Sequence, residues 1–274
     1  MKVAMDNTNL DVYSDPAVAA HYAALEYLTP CEKFLFEKYI KAGLDVLDIG
    51  VGGGRTAPYL SGVARHYVGV DYSEQMIRIC REKFPRLEFR VADAADLSAF
   101  SDASFDAVVI AFNGLDMLSD QGRNQCLQEC LRVLRPGGVL IFSSHNPRSI
   151  LVRPAWSRER LRAFATRLVG GRIAWSHAAV VFLTPVKALH ASLRAAGISI
   201  MRVFRRLAMS AFWRGEGSLL DSAHGGLITH YWIPERAIAE VSQIGFQLVT
   251  SMGDDFPRSS HPFVTDWYYY VFQK

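Results

Sequence analysis

The stretch Leu44-Asp-Val-Leu-Asp-Ile-Gly-Val-Gly-Gly-Gly54 decides the fold of this 274-residue chain. Its first half, Leu44–Ile49, is apolar enough to be a strand buried on both faces, and it runs straight into glycines. Glycines in that place make the tight turn into a helix and let the backbone approach a ligand. The carboxyl end of a strand is also where open α/β sheets bind their ligands. A dinucleotide fingerprint would put glycines at 50, 52 and 55, but position 55 is Arg55. The pattern is instead an acid, Asp48, followed by Gly50, Gly52 and Gly54 at alternate positions.

Outward from this loop the sequence alternates short apolar runs with helical patterns. His66–Val70, Leu87–Val91, Phe105–Ala111 and Val139–Ser143 read as strands. Ser73–Lys83, opened by a serine N-cap, and Gln121–Leu134, closed by Arg135-Pro-Gly-Gly, read as helices. Strict alternation predicts an α/β domain with a parallel sheet and helices on both faces. Ahead of it, Pro16–Ala42 reads as one or two helices broken at Pro30. After Asn146 the alternation stops, with helical patterns at Ser157–Val169 and Thr184–Ala196. It resumes with a helix at Ile233–Ile244 and strands at Phe246–Ser251 and Trp267–Phe272. Three segments follow: a core half with its N-terminal helices over 1–146, a mainly helical insertion over 147–231 after strand 5, and the C-terminal helix and strands over 232–274.

Two further acids close strands: Asp71 ends Tyr67-Val-Gly-Val-Asp71, and Asp93 ends Phe89-Arg-Val-Ala-Asp93. Asp71 is placed to accept hydrogen bonds from ribose hydroxyls, and the neighbourhood of Asp93 suits an adenine amino group. A strand-end aspartate is equally a turn or N-cap residue; the three features in order at successive strand ends favour the ligand reading.

These pieces resemble the class I S-adenosylmethionine-dependent methyltransferases. The likeness rests on residues 47–54 (LDIGVGGG), 68–73 (VGVDYS), 91–97 (VADAADL), 105–112 (FDAVVIAF) and 131–143 (LRVLRPGGVLIFS). It implies a Rossmann-like, seven-stranded, mostly parallel sheet whose last strand, Trp267–Phe272, runs antiparallel. It also implies S-adenosyl-L-methionine as cofactor. Gly50, Gly52 and Gly54, following Asp48, would lie along the methionine part. Asp71 would hold the ribose, and Tyr72 or Met76 would pack on the adenine. Asp93 with Ala94 would meet the adenine edge, and Phe112–Asn113 would line the floor below the sulfonium. Tyr13 and Tyr22 are candidates to close over the cofactor carboxylate, or they simply pack an amphipathic helix.

A sulfonium methyl is already activated, so transfer depends mainly on positioning, with a base helping an oxygen or nitrogen acceptor. The candidate bases are His145, just beyond the fifth strand, and His224 and His230 in Asp221-Ser-Ala-His-Gly-Gly-Leu-Ile-Thr-His230. His145 is well placed, because that strand ends at the ligand-binding edge. No His, Cys or Asp spacing suggests a metal, and Cys126 with Cys130 at i,i+4 reads as core packing. After the fourth strand stands Ala111-Phe-Asn-Gly-Leu-Asp-Met117, without the Asn/Asp-Pro-Pro-aromatic motif of amino-methylating DNA enzymes; nucleic acid is therefore disfavoured as substrate.

Half of the residues are hydrophobic and 21% are charged, which excludes a disordered tail. The N-terminus lacks a secretory apolar region, and four cysteines without a CxxC pair suit a reduced cytoplasmic protein. The net charge of +3 hides an asymmetry. Asn146–Arg214 holds 13 Lys and Arg with Glu159 as its one acid, a net +12 that leaves −9 for the rest. That basic, aromatic segment reads as a solvated helical cap, as a lid attracting an anionic small molecule, or as a surface for peripheral contact with anionic lipid. The resemblance implies transfer of a methyl group to an oxygen or nitrogen of a small-molecule acceptor, and the basic segment favours an anionic one. The alternatives are a membrane-associated lipid or quinone as acceptor, or a cofactor-binding interaction protein without turnover.

Overall fold

The computed structural model of the chain describes residues 7–148, 216–221, 227–260 and 265–274. Three short helices open it: α1 (Asn7–Ser14), α2 (Pro16–Ala23) and α3 (Pro30–Tyr39). Pro30 starts α3 instead of breaking a longer helix. The Thr29 hydroxyl accepts from Glu32 N at 3.1 Å, and the Glu32 carboxylate accepts from Thr29 N at 2.8 Å. That reciprocal cap, with a proline that needs no donor at the first helical position, sets the boundary.

The described strands are β1 (Asp45–Ile49), β2 (His66–Asp71), β3 (Glu88–Val91), β4 (Phe105–Ile110), β5 (Leu134–His145), β6 (Glu216–Asp221), β7 (Leu227–Trp232), β8 (Gln247–Gly253) and β9 (Trp267–Gln273). Seven of them form the core sheet, in the order β3-β2-β1-β4-β5-β9-β8. β1 to β5 pair in parallel, and β9 runs antiparallel to both β5 and β8. Helices α4 (Ala57–Val63), α5 (Glu74–Lys83), α6 (Asp120–Val133) and α7 (Pro234–Ile244) connect the strands. The period of two along β1 assigns its sides: Leu47 and Ile49 join one core cluster, while Val46 joins the other. β9 divides in the same way, with Tyr270 and Phe272 on one face and Tyr269 and Val271 on the other.

Two expectations change. The Arg135-Pro-Gly-Gly turn lies inside β5: Phe105 pairs with Leu134 and Ala107 with Val139, so the intervening residues loop out of register. Gly137 takes a left-handed φ of 79° there, and its N–H bonds to the carbonyl of Lys274 at 3.0 Å. The second change concerns the insertion. Its expected helical stretches lie outside the described residues, and its described end is β-structure, with β6 paired antiparallel to β7. The expected boundary between 231 and 232 therefore cuts a strand. The run Leu-Ile-Thr-His-Tyr-Trp is rich in β-branched and aromatic residues, which fit a pleated half-buried surface better than a helix. Among the described residues no helix is long and apolar enough to cross a membrane.

Candidate active site

The sheet reverses its winding between β1 and β4, and a cleft opens there at the carboxyl ends of β1, β2 and β4. The loop after β1 forms its bed. Gly50 N and Val51 N both bond to the carbonyl of Val70, at 2.8 and 3.0 Å, tying the loop to β2. Gly50 and Gly52 take left-handed φ values of 69° and 53°, and the space where a Cβ would project is empty at both. The bed is thus a backbone cradle that a side chain would fill.

The next two glycines serve packing, although Gly53 still lines the cleft. A Cβ on Gly53 would lie 2.5 Å from the Cα of Ala23, so this residue lets the end of α2 rest on the loop. Lys83 Nζ spans the junction, donating to Ala23 O at 2.7 Å and Gly53 O at 3.3 Å. Gly54 packs towards Phe84, which follows α5, and is not among the residues lining the cleft.

The acids divide in the same way. Asp71 lines the cleft; its two carboxylate oxygens accept from Gly52 N and Ser73 N, each at 2.9 Å. Burial pushes its carboxyl up to about 6 against the pull of those backbone donors. Asp48 does not reach the cleft. It is buried beneath it, accepting from Thr56 Oγ1 at 2.6 Å and Tyr67 Oη at 2.9 Å, and burial raises it likewise to about 6. Asp93 caps its own turn through Ala95 N at 2.9 Å and is not a lining residue, whereas its neighbour Ala94 is.

The walls are aromatic and apolar. Tyr13, Tyr22, Tyr72 and Met76 line one side; the Tyr13 ring lies 5.5 Å from that of Tyr22 and 6.1 Å from that of Tyr72. The buried hydroxyl of Tyr72 has no hydrogen-bond partner. Arg55 also lines the cleft, clamped by Glu32 at 2.5 and 2.7 Å, with its guanidinium 4.7 Å from the Phe112 ring centroid. A glycine cradle, a carboxylate beside it, a flat apolar wall and an unspent hydroxyl together suit a nucleoside carrying an amino-acid tail.

Comparisons with known proteins agree with this chemistry. Residues 46–138 match the family described as "Methyltransferase domain". The "Probable S-adenosylmethionine-dependent methyltransferase" of Mycolicibacterium smegmatis is 43% identical over 105 residues, covering 38% of this chain and 39% of that protein. Residues 46–138 carry a methyltransferase domain, and over that stretch the chain resembles S-adenosylmethionine-dependent methyltransferases.

A demethylmenaquinone methyltransferase of Clavibacter sepedonicus is 39% identical over 132 residues, covering 47% of this chain and 52% of that one. The matches thus span about two fifths to one half of these curated relatives. The fold itself is shared with an S-adenosylmethionine-dependent methyltransferase from Methanosarcina mazei, at a TM-score of 0.59 and 18% identity over 90% of this chain and 98% of that one. The cofactor of such methyltransferases is S-adenosylmethionine, and the cleft residues fit it: Gly50 and Gly52 would give room along the tail, and Asp71 would accept from ribose hydroxyls.

Two expected results follow for the methyltransferase cleft. Gly53→Ala drives a Cβ into backbone that cannot yield, an overpacking cost of about 1–3 kcal/mol that displaces α2. It should weaken S-adenosylhomocysteine binding by roughly tenfold or more in titration calorimetry. The second concerns pH. Because Asp71 protonates near 6, it loses acceptor capacity below that value, and affinity should fall by up to about tenfold per pH unit as pH drops from 6 to 5. A flat profile would remove Asp71 from the binding set. For folding the sign is opposite: the raised carboxyls of Asp48 and Asp71 contribute stability below their ordinary value of 3.8 that is lost as pH rises through about 6.

Beyond Phe112 the site becomes polar. Phe112 and Asn113 both hold left-handed backbone, with φ of 55° and 63°, at the end of β4. Such conformations are costly for residues other than glycine and cluster at functional sites. Asn113 is buried but is not a lining residue; its N–H bonds to Ser143 Oγ at 2.8 Å, and its Oδ1 has no partner. Its Nδ2 lies 3.3 Å from Nε2 of His145, at the end of β5. Nδ1 of His145 lies 2.7 Å from Asp116 Oδ2. Asp116, fully buried, also accepts from Ser144 Oγ at 2.6 Å and from His145 N at 2.8 Å. The His145 ring is part-exposed and stands between Trp267 and Tyr231, at 5.7 and 5.4 Å, and Trp267 in turn touches Phe112 at 5.2 Å. Of the other candidate bases, His230 is buried in β7, and His224 lies outside the described residues.

Asp116, Arg55 with Glu32, and Gly53 were not singled out as site residues from the sequence. A signal existed for Asp116: an acid between Leu115 and Met117, where an apolar residue would suit the packing.

Proposed function

We propose that the protein transfers a methyl group from S-adenosylmethionine to an oxygen or nitrogen of a small acceptor, with His145 as the base. The supporting observation is the buried Asp116 carboxylate against Nδ1 of His145. A carboxylate oxygen at 2.7 Å keeps the proton on Nδ1 and leaves the Nε2 lone pair for the acceptor's proton. The bound cofactor supplies a sulfonium methyl group activated for in-line displacement. The chain's part is to fix the acceptor near Phe112 and to take its proton on Nε2, where the long contact with Asn113 Nδ2 gives way to an acceptor hydroxyl or amine. The Asp116 carboxylate then stabilises the imidazolium. The protein works in the cytoplasm on this reading.

The test is a panel of small hydroxylated and amino aromatic compounds with methyl-labelled S-adenosylmethionine. Label in one product class supports the proposal. Cofactor binding without transfer to any compound would favour an interaction protein that has lost turnover.

A membrane-associated quinone or lipid is the second reading, favoured by the demethylmenaquinone relative and by the net +12 of Asn146–Arg214. Co-sedimentation with anionic vesicles at low salt, lost at high salt, would support it. Its absence at low salt would count against it.

A further inference from the structure

Helix α1 carries Asn9 and Tyr13 one turn apart, at i and i+4 on one face. Tyr13 forms part of the cofactor wall. Asn9 is 1% exposed, and its amide is spent wholly on backbone groups far away in sequence. Its Oδ1 accepts from Ile228 N at 2.7 Å, while Nδ2 donates to Ile228 O at 2.9 Å and to Met117 O at 3.0 Å. One carboxamide thus satisfies both backbone groups of Ile228 on β7, as a neighbouring strand would, and pins the turn Gly114–Met117 as well. That turn holds Asp116. Strand β7 holds Tyr231, whose ring faces His145, and Trp232, whose Nε1 donates to Ser144 Oγ at 2.7 Å. Ser144 Oγ in turn donates to Asp116.

A chain of direct contacts therefore runs from the cofactor wall to the proposed base: Tyr13, the α1 backbone, Asn9, β7 and its Tyr231, His145. A residue needed only for packing would be apolar here; a buried amide bridging elements 108 and 219 positions away in sequence fixes their relative placement. Helix α1 is eight residues long and too short to persist without tertiary contacts. Whatever strengthens its docking therefore strengthens everything Asn9 holds.

We infer that Asn9 is a positioning residue that couples the two halves of the site, so that filling the cofactor cleft orders β7 beside His145. The inference rests on the methyltransferase reading above. Coupling of this kind is reciprocal: an ordered β7 raises cofactor affinity by the same factor.

Amide hydrogen exchange on the full chain, with and without saturating S-adenosylhomocysteine, reads this without any acceptor or turnover. The Ile228 N–H, which bonds to Asn9, is the reporter. In the parent protein its exchange should slow by about tenfold or more on ligand binding, together with Gly52 and Ser73 at the cleft. In Asn9→Ala the ligand should bind about fivefold or more weakly. It should still slow Gly52 and Ser73 but leave residues 227–232 unchanged. Asn9→Asp keeps the acceptor for Ile228 N–H and loses both donors, so its coupling should fall between the two. That variant and the parent alone decide the matter if circular dichroism shows Asn9→Ala unfolded. Slowing at Gly52 and Ser73 without slowing at Ile228 in the parent overturns the coupling. Equal protection of β7 in Asn9→Ala and parent overturns the role of Asn9. Failure of the ligand to slow exchange anywhere in the cleft overturns the methyltransferase reading, and the inference with it.

Discussion

Replacing Asp71 by alanine should weaken S-adenosylhomocysteine binding by about 10²- to 10⁴-fold. The carboxylate does two things at once. It receives Gly52 N and Ser73 N, so it holds the glycine cradle against the start of α5, and its remaining lone pairs face the cleft. Hydrogen bonds to a charged group are worth about 1.5–3 kcal/mol each, and two ribose hydroxyls would lose them together. The two backbone donors would also be left to find water. Asp71→Asn should be milder than Asp71→Ala, since an amide oxygen can still accept one of the bonds. Calorimetric titration of both variants, with circular dichroism to show that the sheet persists, checks the order. Parental affinity in the alanine variant would mean that the ribose is held by another group.

The sheet was legible because its signals are local. Leu44–Ile49 and Phe105–Ala111 are continuous apolar runs ending at turn residues, and the helix Ser73–Lys83 between them opens on a serine cap that the structure retains. The glycine loop carries the resemblance to methyltransferases, yet it did not sort its own residues. Gly50 and Gly52 bed the cleft, Gly53 lines it while also serving the contact with α2, and Gly54 packs on Phe84. Which glycine faces a ligand depends on where residues 22, 23 and 84 arrive, and nothing in the motif encodes that. Asp48 shows the same limit: a strand-end acid reads as a ligand until Thr56 and Tyr67 close on it from either side.

The parts that stayed hidden are held by bonds between distant segments. Asp116 becomes a partner for His145 only when β5 lies beside β4, and Asn9 gains meaning only when β7 passes α1. Arg55 illustrates the intermediate case. Its replacement of the third fingerprint glycine was readable as evidence against a dinucleotide site; its pairing with Glu32, which closes the N-terminal helices against the cleft, was not. The charge asymmetry is legible in sequence alone, since most of its arginines lie outside the described residues. Arg148, at the edge of that segment, pairs with Glu235 of α7 at 2.8 and 2.9 Å.

Changing His145 to glutamine should lower kcat on the identified acceptor by about 10²- to 10⁴-fold, the usual contribution of a positioned general base. The affinity for S-adenosylhomocysteine should stay within about twofold of the parent, because His145 is not among the residues lining that cleft. Glutamine keeps the bulk between Trp267 and Tyr231, so the loss would report proton transfer and not a collapsed wall. Asp116→Asn separates the base from its orientation. An amide at 116 can present its N–H to Nδ1, which moves the imidazole proton to Nε2 and removes the lone pair that the acceptor needs. It should therefore approach the His145→Gln rate while His145 itself remains in place, and the double variant should be little slower than either single one. Additive losses in the double variant would mean that Asp116 serves only the packing around Ser144 and Trp232. Parental turnover in His145→Gln would assign the proton to another group and leave positioning to carry the catalysis alone.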